Sequence, residues 1–500
     1  MKKMRLFQGL LGLLLIACLV LPASLAYAET PVSITTVAVS AASNGIGYEF
    51  QHHSFTDSGV TWVFYLDNIN NKVVGSWSAD GKIWVALPSI HDCYGGISCS
   101  GTQFDTWYDW NTNYVHFVVI NTSVNNSPIF YARFVPDAIA HTLTLSGSWE
   151  TVVAGVANVS YRTPTICVNN DHKPFITYGY NKNGSSDVYL TATNNSTSWV
   201  VPLGLPLHNM SANASLKTKY GSVIPYAVST YNVSFQYSCN NSSVYKIQQN
   251  SVEWNGTAWN ANTSDAIDTS GWYQPAGYED SYNAVSIPTA VNVNDVAIQC
   301  LQTNGSYFRV FFNRKGAPSV NEWDSTWARN FGAGAGATYQ SIGAMGIRNS
   351  NYKLDYSAWT MGDNWIYGND YNVSTGNWSG LVKTYNESAL VPLYSTMSTY
   401  KYDVISTKAT MGFLYGTAPL GDSLRYGMYG PASATPSTVS TSVGLMAWIV
   451  ILVFGALVCL ILLAYGASES IKGGSKEFVK IGIVGLLTII IAAIIVAATL

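Results

Sequence analysis

The sequence predicts an all-β fold: a seven-bladed (six to eight) β-propeller ectodomain with a C-terminal two-helix transmembrane hairpin. Three observations predict the ring. Six tryptophans, Trp84, Trp149, Trp199, Trp259, Trp327 and Trp378, recur in one local setting, mostly after small polar residues and each before turn-rich sequence. Their intervals are 65, 50, 60, 68 and 51 residues. Short alternating strands lie upstream of them, and no long amphipathic helix is legible between residues 45 and 430. A period near 50 with several short strands per unit marks a propeller.

The second strand of each unit is the clearest. These strands are predicted at residues 61–65, 114–118, 174–178, 232–237, 295–300, 352–356 and 402–405, seven in all. Third strands follow at 128–132, 187–191 and 307–311. β-branched and aromatic residues at period two, cut by Asn, Gly and Ser, are strand and turn chemistry. The seventh unit lacks its Trp, with Arg425-Tyr426 in the corresponding place. Residues 32–39 (Val-Ser-Ile-Thr-Thr-Val-Ala-Val) form an orphan strand before the first unit. Pairing as the outer strand of the last blade would close the ring and remove an open edge. The alternative is a frayed arm.

The two ends carry membrane chemistry. Residues 1–28 read as a secretory signal: Lys2, Lys3 and Arg5, then an apolar run from Leu10 to Val20, then Ala26-Tyr27-Ala28 as a small-x-small cleavage site. The ring is expected over 29–430 and a Ser/Thr/Pro stalk over 431–442. Residues 443–467 and 481–500 are continuous apolar stretches, each long enough to cross a bilayer core of about 30 Å as a helix. The intervening 468–480 holds Lys472, Lys476 and Lys480, which places it in the cytoplasm if the ring is exported. A stalk of a dozen residues reaches at most about 40 Å, so the ring would stand near the surface. The expected location is therefore outside the cell, on a plasma membrane or viral envelope. The lipid bilayer is one partner, and the hairpin allows self-association.

Charge excludes some functions. Charged residues make up 11 % of the chain and the formal net charge is −3, against about 25 % charged in ordinary soluble domains. With no basic patch, nucleic acid is not an expected partner. So few surface carboxylates would suit an acidic exterior. Seventeen Asn-x-Ser/Thr triplets lie in the part read as exported, more than the composition gives by chance. Asn121, Asn125, Asn183, Asn240 and Asn304 fall in turns between second and third strands, which would share one face of the ring and are the glycosylation candidates. Cys93 and Cys99 flank a flexible turn and are the expected loop disulfide. Cys167, Cys239 and Cys300 leave an odd count, with Cys239–Cys300 as one pairing among several.

Two segments resemble the sialidase-like superfamily of propellers with Asp-box repeats. Ser78-Ala79-Asp80-Gly81-Lys82-Ile83-Trp84 is similar to the family's Asp-box turn, with Ile83 where Thr is usual, and later repeats keep little beyond the Trp. Tyr161-Arg162-Thr163-Pro164 looks like the family's Arg-x-Pro start of a strand. The resemblance implies Arg162 as a binding residue, although it falls in the third unit where the family has it in the first. A sialidase would also need two further arginines and paired acids. Arg309, Arg348 and Arg425 have no family motif around them, and Glu279-Asp280 is the one adjacent acidic pair among the ring's few glutamates. His52-His53 point to opposite faces of a strand, which favours structural roles over metal ligation. No catalytic residue, metal or cofactor is assigned. The expected function is recognition of glycans or surface proteins by a membrane-anchored, glycosylated adhesin. The alternatives are a structural spike of an archaeal cell or enveloped virus, and a sialidase-like glycoside hydrolase.

Overall fold

The computed structural model describes residues 33–38, 46–48, 50–67, 69, 71–92, 101–122, 126–182, 185–194, 198–202, 217–226, 229–241, 244–261, 265–266, 271–274, 282–286, 296–304, 308–315, 329–331, 339–341, 345–348, 353–357, 359–361, 365–368, 371–372, 377–378, 382–386, 391–399, 411–418 and 423–429. The chain divides into two compact units, Met1–Pro431 and Ala432–Leu500, and all described residues belong to the first. The predicted signal, stalk and apolar C-terminal stretches, Cys93, Cys99, Asn125, Asn183, Trp327, Glu279-Asp280 and the strand expected at 402–405 lie outside the described residues. Among those described, no helix is long and apolar enough to cross a membrane, and all regular structure is β.

Successive antiparallel meanders build this unit. β1 (Ser33–Ala38) stands apart at first. β2 (His52–Asp57), β3 (Val60–Asp67) and β4 (Lys72–Ser78) form the first meander, with the short β5 (Val85–Ala86) and β6 (His91–Asp92) both on β4. Ser58 and Gly59 join β2 to β3 with φ of 49° and 83°, the positive pair a tight hairpin needs to match strand twist. The second meander is β7 (Thr102–Asp109), β8 (Tyr114–Asn121), β9 (Ile129–Asp137) and β10 (Thr142–Leu145), with β11 (Glu150–Val153) also on β9. The third is β12 (Val159–Val168), β13 (Pro174–Lys182), β14 (Ser185–Asn194) and β15 (Ser198–Val200). The fourth is β16 (Lys217–Pro225), β17 (Val233–Asn241), β18 (Val244–Trp254) and β19 (Trp259–Ala261), with β20 (Asp265–Ala266) on β18. The fifth is β21 (Tyr282–Ser286), β22 (Val296–Thr303), β23 (Phe308–Lys315) and β24 (Arg329–Phe331).

Residues 339–386 carry eight short strands: β25 (Tyr339–Ser341), β26 (Met345–Arg348), β27 (Lys353–Ser357), β28 (Trp359–Met361), β29 (Trp365–Gly368), β30 (Tyr371–Asn372), β31 (Asn377–Trp378) and β32 (Val382–Asn386). They pair as two four-stranded sheets, β25-β28-β29-β32 and β26-β27-β30-β31. The last meander is β33 (Val391–Thr399), β34 (Met411–Ala418) and β35 (Ser423–Tyr429).

The orphan strand completes this last meander. β1 runs antiparallel to β35, with Ser33 opposite Met428 and Thr36 opposite Arg425. β33 in turn pairs in parallel with β2, His52 opposite Met397. The first and last meanders are therefore one continuous sheet, and the frayed-arm alternative is excluded. The first strands β2, β7, β12, β16 and β21 pack side by side in that order. They run the same way: Tyr48 and His52 meet Gln103 and Asp105 in that order, Thr163 and Ile166 meet the same two residues in that order, and β33 is parallel to β2, so first strands begin on one face and third strands end on the opposite face.

Burial explains why the second strands were so legible. Every residue of β3 is buried, as is all of β8 after Tyr114. A strand covered on both faces loses its polar alternation and reads as a nearly continuous apolar run. The tryptophans fill the wedge between neighbouring meanders, each against the one before it. Trp84 of the first meets Tyr426 of the last at 5.1 Å between ring centroids and donates its indole N–H to Thr35 Oγ1 on β1, 2.9 Å. Trp149 meets His91 at 4.4 Å, Trp199 meets Tyr131 at 5.2 Å and Trp259 meets Phe175 at 4.7 Å, all edge-on. Edge-to-face aromatic pairs contribute roughly 0.5–1.5 kcal/mol beyond the area they bury. Trp378 lies on β31.

The turn chemistry is more widespread than the sequence suggested. Asp80 Oδ1 accepts the N–H groups of Lys82 and Ile83 at 2.7 and 2.9 Å. Asn255 Oδ1 accepts those of Thr257 and Ala258 at 3.0 and 2.8 Å, and its own Trp, Trp259, follows four residues on as Trp84 follows Asp80. Gly81 and Gly256 both take positive φ. The Asp-box geometry thus recurs in the fourth meander with Asn in place of Asp, correcting the expectation that only the Trp survived there.

Candidate functional site

The candidate site grows from two strained residues on neighbouring first strands. In β12 the register against β13 slips between Arg162 and Thr165, and in β16 the register against β17 slips between Lys219 and Gly221. Thr163 and Tyr220 sit in these bulges with φ of 45° and 50°. A left-handed conformation costs a bulky L-residue on the order of 1–3 kcal/mol and persists only where neighbours hold it. Here they do. Thr163 N–H donates to Gln103 Oε1 of β7 at 2.6 Å, and the Tyr220 carbonyl accepts the Tyr282 hydroxyl of β21. A bulge re-aims the side chain beside it, and each is preceded by a cation: Arg162, which is exposed, and Lys219, which is half-buried.

An arm before β2 supplies the floor between them. Gly47 has φ of 67°, and a turn follows in which Gln51 N–H donates to the Tyr48 carbonyl at 3.0 Å and Tyr48 N–H to Gln51 Oε1 at 2.9 Å. Gln51 Nε2 then donates to the Pro164 carbonyl of β12 at 2.7 Å. Tyr48 lies 5.5 Å from the Tyr220 ring and 3.5 Å, hydroxyl to Nε2, from Gln103. Phe50 stacks on Tyr282 of the fifth meander at 4.9 Å. Ile46 joins an apolar cluster with Val63, Leu414 and Tyr426 of the first and last meanders. Ile46, Tyr48, Phe50 and Gln51 thus touch the first, second, third, fourth, fifth and last meanders, which places the arm across the centre around which the first strands are arranged.

Below the arm, Asp105 ties three first strands together. Its carboxylate accepts the N–H groups of His52 on β2, of Thr106 on β7 at 2.9 Å and of Ile166 on β12 at 2.8 Å. Burial pushes its pKa up, against the pull of His52 and of these hydrogen bonds. His52 packs edge-on against Trp107 at 5.0 Å, whereas His53 stacks on Phe104 at 4.2 Å with Nε2 at 3.0 Å from the Phe104 carbonyl. Burial drives the His53 pKa down to about 3. Both histidines thus sit in packed structural positions, as the sequence favoured, although the Nδ1 of each is buried without a hydrogen-bond partner among the described residues. Among the described residues no group of three His, Cys, Asp or Glu is placed to hold a metal.

The site is therefore a cluster where the first strands begin: Tyr48, Gln103, Arg162, Lys219, Tyr220 and Tyr245, the last 5.1 Å from Lys219 Nζ. Lys219 also lies 5.9 Å from the Tyr220 ring centroid. Burial pushes the nearby Asp187 carboxyl up to about 6, although the Thr218 hydroxyl and Val188 N–H donate to it. Only Arg162 of this cluster was singled out from sequence. The missed signal is a shared pattern, a cation followed by the bulge residue and then Pro164 or Gly221, at the same point of two first strands. Arg425 lies on β35 of the last meander, away from Arg162 on β12, and the side chains of Arg309 and Arg348 lie outside the described residues. Of the described glycosylation candidates, Asn304 is exposed, Asn240 half-buried and Asn121 only 7 % exposed, so Asn121 offers little access to a modifying enzyme. Cys167, Cys239 and Cys300 are buried thiols, which corrects the Cys239–Cys300 pairing. Burial pushes the Cys239 thiol up to about 11.

No family model matches the chain, and no curated protein matches it. Solved structures do. The Hadza microbial sialidase Hz136 is 9% identical over 73% of this chain and 74% of its own, with a TM-score of 0.42. The polysaccharide lyase Uly1 is 9% identical over 80% of this chain and 99% of its own, with a TM-score of 0.47. The six-bladed fungal lectin of Aleuria aurantia is 13% identical over 67% of this chain and 97% of its own, with a TM-score of 0.38. The likeness is one of fold, and at these values it carries no argument about chemistry.

Proposed function

We propose that this chain is an exported, membrane-anchored, glycosylated surface protein whose seven-bladed ring binds glycans on the face where the first strands begin. The count of seven takes the two sheets of 339–386 as one blade with strands broken in the middle, and the last meander with β1 as another. Sheet continuity between β2 and β33 supports the ring. The anchor rests on the apolar stretches 443–467 and 481–500 and the lysines between them, and glycosylation on the acceptor triplets of residues 121–386.

The observation that carries the binding reading is the cluster of Tyr48, Gln103, Arg162, Lys219, Tyr220 and Tyr245 around bulges held in a strained conformation. Tyrosine faces stack on the apolar faces of sugar rings, and amides and cations bond hydroxyl and acidic groups. Strain maintained by neighbours at the start of the first strands is a mark of a preorganised site. A glycan array probed with the purified chain in detergent tests this. Binding should weaken about tenfold or more in Arg162→Ala, the weight of one charge-assisted hydrogen bond of ~1.5 kcal/mol, with thermal stability unchanged because Arg162 is exposed. Absence of binding to every glycan and to intact cells refutes it.

A further inference from the structure

The face opposite this site carries an apolar patch, and its elements run together. Ile83 is 72 % exposed and Ile139 93 % exposed. Each rides on a turn clamped by a carboxylate: Asp80 accepts the Ile83 N–H at 2.9 Å, and Asp137 accepts those of Ile139 and Ala140, both at 2.8 Å. The turns are thus fixed, and the isoleucines project from rigid supports. Between them, exposed Val85 pairs with Trp77 across β5 and β4, and the Trp77 ring stacks on His141 of the Ile139 turn at 3.6 Å. The Trp77–His141 contact thus joins the exposed residues of the first meander to the Ile139 turn of the second.

The chain itself indicates what covers this patch. Tyr429 ends β35, opposite Met411, which begins β34. That end lies on the face where third strands finish, the face of the Ile83 and Ile139 turns. The described chain therefore ends on this face, and in the sequence the apolar stretch 443–467 begins 14 residues beyond Tyr429. On the same face Asn194 ends β14 and the acceptor Asn255 follows β18, whereas the turns 78–85 and 137–142 carry no acceptor triplet. Contact with a surface is therefore left open on the side of the ring that bears the patch.

We infer that the Ile83–Val85–Trp77–Ile139 patch rests on the lipid surface into which the chain's own apolar stretches insert. Exposed isoleucines on fixed turns enter the headgroup boundary of a bilayer as the apolar face of an interfacial helix does. The ring is then held with the Arg162 cluster facing away, free to meet a ligand. This rests on the anchoring reading above.

The test uses the full chain in phosphatidylcholine vesicles containing a nickel-chelating lipid. Nitroxide labels go on Ile139→Cys and, as a control, on Ile69→Cys, which is 75 % exposed in the β3–β4 turn of the other face. The signal of the labelled parent chain is subtracted. Nickel at the headgroups should relax the label at 139 severalfold more than the label at 69. Equal relaxation in chains that float with the vesicles overturns the inference and leaves anchoring intact. Chains that fail to float with the vesicles overturn both.

Discussion

Acidification is expected to weaken this fold, against the impression left by its scarcity of surface carboxylates. His53 and His116 are buried, and burial lowers each pKa from 6.5 to about 3. His116 meets the Tyr131 hydroxyl at 2.7 Å through Nδ1. In the unfolded chain both imidazoles take a proton below pH 6.5. In the folded chain they stay neutral until about pH 3. The unfolded state therefore binds more protons in that window, and stability falls as the pH falls through it. From pH 6.5 to pH 5 each histidine contributes a loss of roughly 2 kcal/mol, at about 1.4 kcal/mol per unit. Asp187 acts in the other direction. Its pKa is raised to about 6, so the folded state binds its proton first and gains roughly 1 kcal/mol by pH 5. These three groups together give a loss of about 3 kcal/mol between pH 7 and pH 5, and Asp105, whose pKa burial also raises, offsets part of it. Urea unfolding followed by tryptophan fluorescence at the two pH values measures it directly. The double variant His53→Asn, His116→Gln should show a much flatter pH profile, whatever its stability at pH 7. An unchanged urea midpoint for the native chain at pH 5, or an equally steep loss in the double variant, refutes the reasoning.

Gly47→Ala should destabilise by about 2–3 kcal/mol, since a Cβ there would lie 2.0 Å from Gln51 Oε1 at φ of 67°; thermal denaturation reads it, and a loss below about 0.5 kcal/mol contradicts the turn. Trp259→Ala should cost roughly 3–5 kcal/mol because the ring is 3 % exposed and wedged against Phe175, with the urea midpoint as readout. Deleting residues 33–38 should expose the β35 edge and promote self-association, seen by light scattering; a stable, monodisperse product would show that β1 is dispensable.

Much of this architecture could be read from residue order. The buried runs of β3 and β8 and the β-branched content of β13 and β22 identify themselves because strands covered on both faces tolerate little else. The repeat of Trp84, Trp149, Trp199 and Trp259 was legible from spacing, whereas residues 33–38 left ring closure and a frayed arm both open until β35 proved to be their partner. The site was not. Thr163 and Tyr220 are poor residues for a left-handed backbone, and what keeps them there, Gln103 and Tyr282, lies about 60 residues away in each case. The arm at 46–51 looked like a connector because its partners, Pro164, Tyr220 and Tyr282, are distant in sequence. Asn255 concealed its kinship with Asp80 behind a change from carboxylate to amide, which keeps the accepting oxygen and discards the charge.

The pairing of Ser33 with Met428 also sets a clock. The earliest strand to leave the ribosome must wait for the latest, nearly four hundred residues behind it. At about 5–20 residues per second that delay is roughly 20–80 s. Throughout that time two unsatisfied backbone edges stay open to any passing chain. Whatever compartment receives this polypeptide must shield them, and the unusually polar, uncharged coat of Asn, Ser and Thr is well suited to keeping a half-made circle in solution until its ends meet.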